Sequence, residues 1–86
     1  ASDYIFRIGG EEFLAVLYET DQTSALSVAE EICKEIEALT LLPQRTVTIS
    51  IGIAVLQEDD DQTSWMNRAD KKLYQAKSQG RNCAVA

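Results

Sequence analysis

Apolar and polar residues alternate with a period of two in several stretches of this chain and recur every three or four residues in two others. In Asp3–Ile8, Tyr4, Phe6 and Ile8 share one face, and Ile5 and Arg7 share the other. The segment is rich in aromatic and β-branched residues and predicts a strand. A second strand is predicted over Phe13–Tyr18, where Phe13, Ala15 and Leu17 alternate with Leu14, Val16 and Tyr18. Both of its faces are apolar, which predicts a central strand covered on both sides. The segment Gly9-Gly10-Glu11-Glu12 between the two runs predicts a β-hairpin. From about Ser24 to Leu39 the spacing is helical, with Leu26, Ala29, Ile32 or Cys33, and Ile36 in one stripe. Asp21, Thr23 or Ser24 is the candidate cap, and Pro43 blocks continuation through Leu41 and Leu42.

The clearest strand is predicted over Thr46–Leu56. Val47, Ile49, Ile51, Ile53 and Val55 form a large-residue face. The opposite face is small in its middle, at Ser50, Gly52 and Ala54, and suits a closely packed helix. The tract 57–62, with three aspartates and a glutamate, predicts a solvated polar turn, since its spacing is not that of a calcium-binding loop. A last helix is predicted from Ser64, the candidate cap, to Ser78, with Trp65, Met66, Ala69, Leu73 and Ala76 on its apolar side and Gly80 as its stop. Asn82–Ala86 predicts a short terminal strand. The order is β-β-α-β-α-β, an α+β class in which helices pack sandwich-like on an antiparallel or mixed sheet. The chain opens directly in a strand, and its apolar strand faces exceed what two helices cover. It therefore reads as the second half of a larger domain.

Composition narrows the chemistry. In 86 residues there are eight basic and fourteen acidic side chains, a net charge of −6, and no histidine. The acidic balance speaks against a nucleic-acid backbone as partner, yet allows a nucleotide held by a local positive spot or a metal. Lack of histidine removes Ser-His-Asp and Cys-His catalysis. Cys33 and Cys83 form no zinc pattern and are expected to be reduced thiols in a cytoplasmic protein. No apolar run is long enough to cross a membrane, so no membrane contact is expected of this segment.

Two constellations carry candidate chemistry. Glu11 and Glu12 sit beside Gly9 and Gly10, which have no side chain to keep a ligand away. Adjacent carboxylates there suit Mg²⁺ beside phosphates; the same four residues also make an ordinary solvated turn. Lys77 and Arg81 stand four positions apart, about one helical turn, and can reach one phosphate. They equally suit a helix C-terminus through its dipole.

Arg7-Ile8-Gly9-Gly10-Glu11-Glu12-Phe13 resembles the signature of the GGDEF family, the diguanylate cyclases, in its GGEEF form. Val47–Ala54 resembles the family's T-x-S-x-G-x-A strand. Ala69–Lys77 followed by Gly80-Arg81-Asn82 resembles its closing AD-x-x-LY-x-AK-x-x-GRN motif. The three motifs stand in family order and together span nearly the whole chain.

The resemblance implies a nucleotidyl-cyclase-like fold, of which residues 1–86 are the C-terminal half, with the N-terminal half absent from this chain. It implies condensation of two GTP to cyclic di-GMP with release of two pyrophosphates, across a homodimer, with Mg²⁺ or alternatively Mn²⁺. Glu11 matches the hairpin carboxylate that coordinates the metal and assists deprotonation of the ribose 3′-hydroxyl, and Glu12 the carboxylate next to it. Gly9 and Gly10 match the glycines that let the hairpin approach the phosphates. Lys77 and Arg81 match the cations that hold the β- and γ-phosphates. Asp3 matches the last position of the RxxD inhibitory site, which binds product. The other metal carboxylate and the guanine-reading residues lie upstream in the family. The rival readings are a regulatory GGDEF-like module that binds GTP or cyclic di-GMP without turnover, and an RNA-binding module of similar architecture, which the net charge disfavours.

Overall fold

A computed structural model describes residues 1–9, 13–39 and 47–86. The elements are β1 (Ser2–Gly9), β2 (Phe13–Thr20), α1 (Gln22–Ala38), β3 (Ser50–Val55), α2 (Gln62–Ser78) and β4 (Ala84–Val85), in the predicted order. The strands form one mixed sheet in the spatial order β2-β1-β3-β4. β1 pairs antiparallel with β2 and β3, and β4 runs parallel to β3. One helix lies on each face of the sheet. The alternation read in β1 and β3 decides which side chain meets which helix. Tyr4, Phe6, Ile51 and Ile53 join Ala25, Ala29 and Cys33 of α1 in one buried cluster. Ile5 and Ala54 join Ala69 of α2 in the other, with Trp65 and Met66 packed against it. On α1 the most buried line is Ala25, Ala29 and Cys33, with Leu26 and Ile32 flanking it. Three small residues at i, i+4 and i+8 bring that helix close, and the larger ones close its sides.

Several boundaries differ from expectation. Both helices start two residues earlier than the apolar stripes indicated, because aspartates cap them. Asp21 accepts the Ser24 N–H at 2.7 Å. Asp61 accepts the Ser64 N–H at 2.8 Å, while Ser64 Oγ accepts the Asp61 N–H at 3.1 Å. Ser64 is thus the third helical residue of a capping box, not the cap itself. β3 is shorter than its alternation suggested and begins at Ser50. Residues 47–49 belong to no strand, while Thr46, Leu41, Leu42 and Pro43 lie outside the described residues.

β2 is a correction of a different kind. It is an edge strand, not a central one. Phe13 is 60% and Tyr18 70% exposed, and Leu14 and Val16 are also exposed. An apolar pattern on both faces reports a strand suited to cover. It carries no information on which strand supplies the neighbouring ladder, and β1 has its two partners in β2 and β3. Near its far end β2 bulges, with Tyr18 and Glu19 opposite Asp3. Glu19 takes a left-handed conformation, φ 52°, and its N–H donates to Asp3 Oδ1 at 3.1 Å.

The acidic tract is also more than a solvated turn. Asp60 is covered by its partners, its side chain only 5% exposed. It accepts from the Gln57 N–H at 2.8 Å, from Ser64 Oγ at 2.8 Å and from the Arg68 guanidinium, which also donates to the Val55 carbonyl at 2.8 Å. One carboxylate therefore ties the turn to α2 and to the end of β3. Both cysteines are free, and burial pushes the Cys33 thiol above its ordinary value, with Cys83 and Glu30 adding to the effect.

Gly52 sets the distance between α2 and the sheet. A Cβ there would overlap the Ala69 carbonyl oxygen and the Leu73 nitrogen, and would stand 2.8 Å from Leu73 Cα. All three belong to the helix backbone, which cannot rotate away as a side chain can. Gly52→Ala is expected to destabilise the protein by about 2–3 kcal/mol and Gly52→Val by more, at the upper end of overpacking costs. Urea unfolding measures this, and a loss under about 0.5 kcal/mol for Gly52→Ala would contradict the contact.

Acid should act through Asp60. The Gln57 N–H, then Ser64 and Arg68, hold its carboxyl below the ordinary 3.8. A depressed folded value means that its contribution is complete above 3.8 and disappears as pH falls through the lower folded value. Asp21 is lowered chiefly by the Ser24 N–H and acts with the same sign. Asp60→Asn should therefore show a shallower loss of unfolding midpoint on acidification below 3.8 than the wild type. Parallel pH profiles for the two proteins would count against the role of Asp60.

Candidate functional site

β1 delivers its last residues to the end of the sheet where α2 finishes. Alternation puts Ile5, Arg7 and Gly9 of β1 on the α2 side. Asp70 and Lys77 lie seven residues apart on α2, close to two turns, and so face the same way. The two series meet. Arg7 Nε stands 2.8 Å from Asp70 Oδ1, and this pair fastens the root of the hairpin to the middle of the helix. One step further, a Cβ on Gly9 would lie 2.9 Å from Lys77 Cε and 3.2 Å from Lys77 Nζ. The lysine thus lies over bare backbone at the end of β1, in space that any side chain at position 9 would contest.

α2 then ends in a Schellman arrangement. The Gly80 N–H donates to the Lys77 carbonyl at 3.4 Å and the Arg81 N–H to the Ala76 carbonyl at 3.0 Å. Gly80 has φ 114°, as the motif requires. Arg81 follows four residues after Lys77, beyond the helix end and exposed to solvent. The chain is acidic overall, yet Lys77 and Arg81 mark this helix end, with Arg7 paired to Asp70.

Of the residues singled out in the sequence, Gly9 and Lys77 are brought together, with Arg81 directly after the same helix end. Gly10, Glu11 and Glu12 lie outside the described residues. β1 and β2 pair up to Ile8↔Phe13 on either side of them. Asp3 does not join this group. It is six residues down β1, about 20 Å away at strand rise, and its carboxylate serves the bulge at Glu19. Arg7 and Asp70 were not singled out individually. Their signal was a charged residue on a strand face otherwise buried, and an acid two helical turns before Lys77. A cavity of about 400 Å³ is lined by Tyr4, Val55, Arg68, Lys72 and neighbours, toward the Asp3 end of β1. Among the described residues no group of three or more acidic, cysteine or histidine side chains is arranged to hold a metal ion, and no helix is long and apolar enough to cross a membrane.

The chain matches the family described as diguanylate cyclase, GGDEF domain, over residues 1–83. The chain belongs to the GGDEF family. It is 40% identical over 85 residues to diguanylate cyclase A of Treponema denticola, a match covering 94% of this chain and 23% of that protein. Among solved structures it is similar to the GGDEF domain of DgcB from Caulobacter crescentus in complex with c-di-GMP, at 31% identity and a TM-score of 0.81. That match covers 91% of this chain and 48% of the other. It is likewise similar to the active GGEEF domain of a diguanylate cyclase from Vibrio cholerae, at 33% identity and a TM-score of 0.79, covering 92% and 52% respectively. This GGDEF chain thus spans about half of those solved chains and about a quarter of the curated relative. The fold expected from the three motifs is the fold observed.

Proposed function

We propose that this chain is the C-terminal half of a diguanylate cyclase domain, which condenses two GTP to cyclic di-GMP and two pyrophosphates. The observation that carries the reading is the ammonium group of Lys77 held over Gly9 at the root of the GGEEF hairpin. A cation resting on side-chain-free backbone is a bed for a phosphate group: the backbone lets the anion come close, and Nζ supplies charge-assisted donors. Arg81 adds a planar fork of donors four residues on. In this reading Lys77 and Arg81 grip the β- and γ-phosphates, the part that leaves as pyrophosphate. They stabilise the charge that accumulates there as the 3′-hydroxyl of the second GTP bonds to the α-phosphorus and loses its proton. Arg7, tied to Asp70, keeps β1 and α2 in fixed relation while this happens.

Glu11 and Glu12 follow Gly9 by two and three positions in the sequence, and their carboxylates are hard oxygen donors of the kind that suits Mg²⁺ and also Mn²⁺. The ion, when bound, would neutralise triphosphate charge and lower the pKa of the attacking hydroxyl. Glu11 is assigned as metal carboxylate and as the base toward the 3′-hydroxyl, and Glu12 as its neighbour at the metal. Gly9 and Gly10 admit the phosphates. The second GTP is supplied by a second copy of the domain in a homodimer. Asp3, at the other end of β1, is read as the remnant of an inhibitory product-binding site; its bond from Glu19 leaves the carboxylate further lone pairs for an arginine or a guanine edge.

The assay is cyclic di-GMP formation from GTP with Mg²⁺ in the complete domain. Glu11→Gln should keep the fold and reduce turnover by at least about a hundredfold, the scale of losing one key electrostatic group from a preorganised site. A fully active Glu11→Gln variant would refute the metal assignment. A parent domain that binds GTP and never turns over would favour a regulatory module.

Gly9→Ala gives a sharper test of the phosphate bed. The new methyl group meets the flexible ends of Lys77 and Leu73, so stability should change by less than about 1 kcal/mol. Lys77 is displaced nevertheless, and KM for GTP should rise by about tenfold. An unchanged KM would separate Lys77 from the phosphates.

A further inference from the structure

A Schellman turn needs one left-handed residue, and Gly80 supplies it. Here the left-handed region continues through two residues that have side chains: Arg81 has φ 65° and Asn82 φ 50°. An asparagine tolerates this conformation, whereas an arginine does so at a cost. Something must hold the pair in place. The Asn82 Nδ2 group donates to Glu37 Oε2 at 2.7 Å. Glu37 is in the last turn of α1, so this bond ties the segment that follows α2 to the end of α1. An acid in a last turn that contains no base opposes the helix dipole. Its position makes sense through the partner it accepts from. Among the described residues Asn82 Oδ1 is shut away from solvent without a hydrogen-bond partner. The carboxylate sets the orientation of the amide, since only its NH₂ end can donate to Glu37. One residue on, the Cys83 carbonyl accepts the Ile51 N–H at 2.9 Å. The backbone of Arg81 is thus fastened on one side by α2 and on the other by Asn82 to α1 and Cys83 to β3.

We propose that Asn82 is a positioning residue for Arg81: its bond to Glu37 holds Arg81 in the left-handed turn that directs the guanidinium, alongside Lys77, at the substrate phosphates. The inference rests on the phosphate-binding reading of Arg81. Its physical content is preorganisation. With the clamp, Arg81 meets an arriving triphosphate in the bound geometry. Without it, the residue relaxes to the right-handed region and must be reordered each time, which weakens binding without altering the reacting groups.

The test is steady-state kinetics of the complete domain with GTP and Mg²⁺, together with binding of a non-hydrolysable GTP analogue. Asn82→Ala and Glu37→Ala should each raise KM, and weaken the analogue, by about tenfold, with kcat within about twofold. Asn82→Gly, which permits the turn and lacks the clamp, should do the same. Glu37→Gln keeps an acceptor oxygen and should restore affinity to within about threefold of wild type. In an Arg81→Ala background, Asn82→Ala should have no further effect, because both act through one guanidinium. If Asn82→Ala still raises KM in that background, or if neither clamp variant changes KM while Arg81→Ala does, the positioning role is overturned and the phosphate reading stands. If Arg81→Ala itself leaves KM and analogue binding unchanged, it is the phosphate reading that fails, and the positioning role with it. Glu37→Ala alters only the exposed end of α1, so it decides the question even if substitutions at position 82 impair folding.

Discussion

Backbone meets backbone where α2 crosses β3. At Gly52 there is no room even for a methyl group between the strand and the carbonyl and amide groups of Ala69 and Leu73. Close approach of this kind leaves little freedom in the height of the helix over the sheet. That height then determines what happens further along. Leu73 and Lys77 follow on the same helix and come down over Gly9, the second position where α2 needs bare backbone. Arg7 lies between the two glycines in space, as the partner of Gly52 in the β1–β3 ladder, and reaches Asp70. Two glycines and one ion pair thus transmit a packing distance into the placement of a cation.

The two ends of β1 use their charged groups differently. At the Gly9 end, Lys77 lies over bare backbone and Arg7 pairs with Asp70. At the Asp3 end, carboxylates are occupied with structural tasks: Asp3 holds the bulge, and Asp60 holds the turn before α2 together with Arg68 and the last carbonyl of β3. The overall charge of −6 gives no hint of this division. A net charge averages over the surface, whereas a phosphate group responds to the few charges within reach.

What the sequence made legible follows from how local each signal is. The alternation of Ile49, Ile51 and Ile53 against Gly52 and Ala54 names the two faces of β3 correctly, because a period of two is a property of the strand itself. The smallness of Gly52 announced the helix that lies on it. The succession of elements and the family motifs were equally readable. The edge position of β2 was not, since Leu14 and Val16 are apolar whichever neighbour the strand has. Asp21 was one of three candidate caps for α1, whereas Asp61 was passed over for Ser64, because neighbouring serines and threonines have similar capping ability and the φ and ψ angles distinguish among them. The bond from Asn82 to Glu37 spans 45 residues and leaves no periodic trace. For the site, sequence order indicated that Gly9 and Lys77 belong together through the family resemblance alone, and their spatial contact is a result of the tertiary fold. The carboxylates Glu11 and Glu12 rest on the sequence motif.

The exposed position of β2 bears on how such a chain behaves at high concentration. Along Phe13–Thr20 there is no lysine, no proline and no inward-pointing charge, and the first acid is Glu19, at the bulge. These are the devices by which natural sheets keep their outer strands from recruiting further strands. Among the described residues the outer side of β2 has no ladder partner, while Phe13, Leu14, Val16 and Tyr18 offer apolar surface beside it. A strand of this character is a template for edge-to-edge association. Colloidal behaviour, rather than unfolding, would then set the upper limit on the working concentration of this chain in isolation, and mutual repulsion from its six excess negative charges would be the main opposing force. Added salt, which screens that repulsion, would lower the limit.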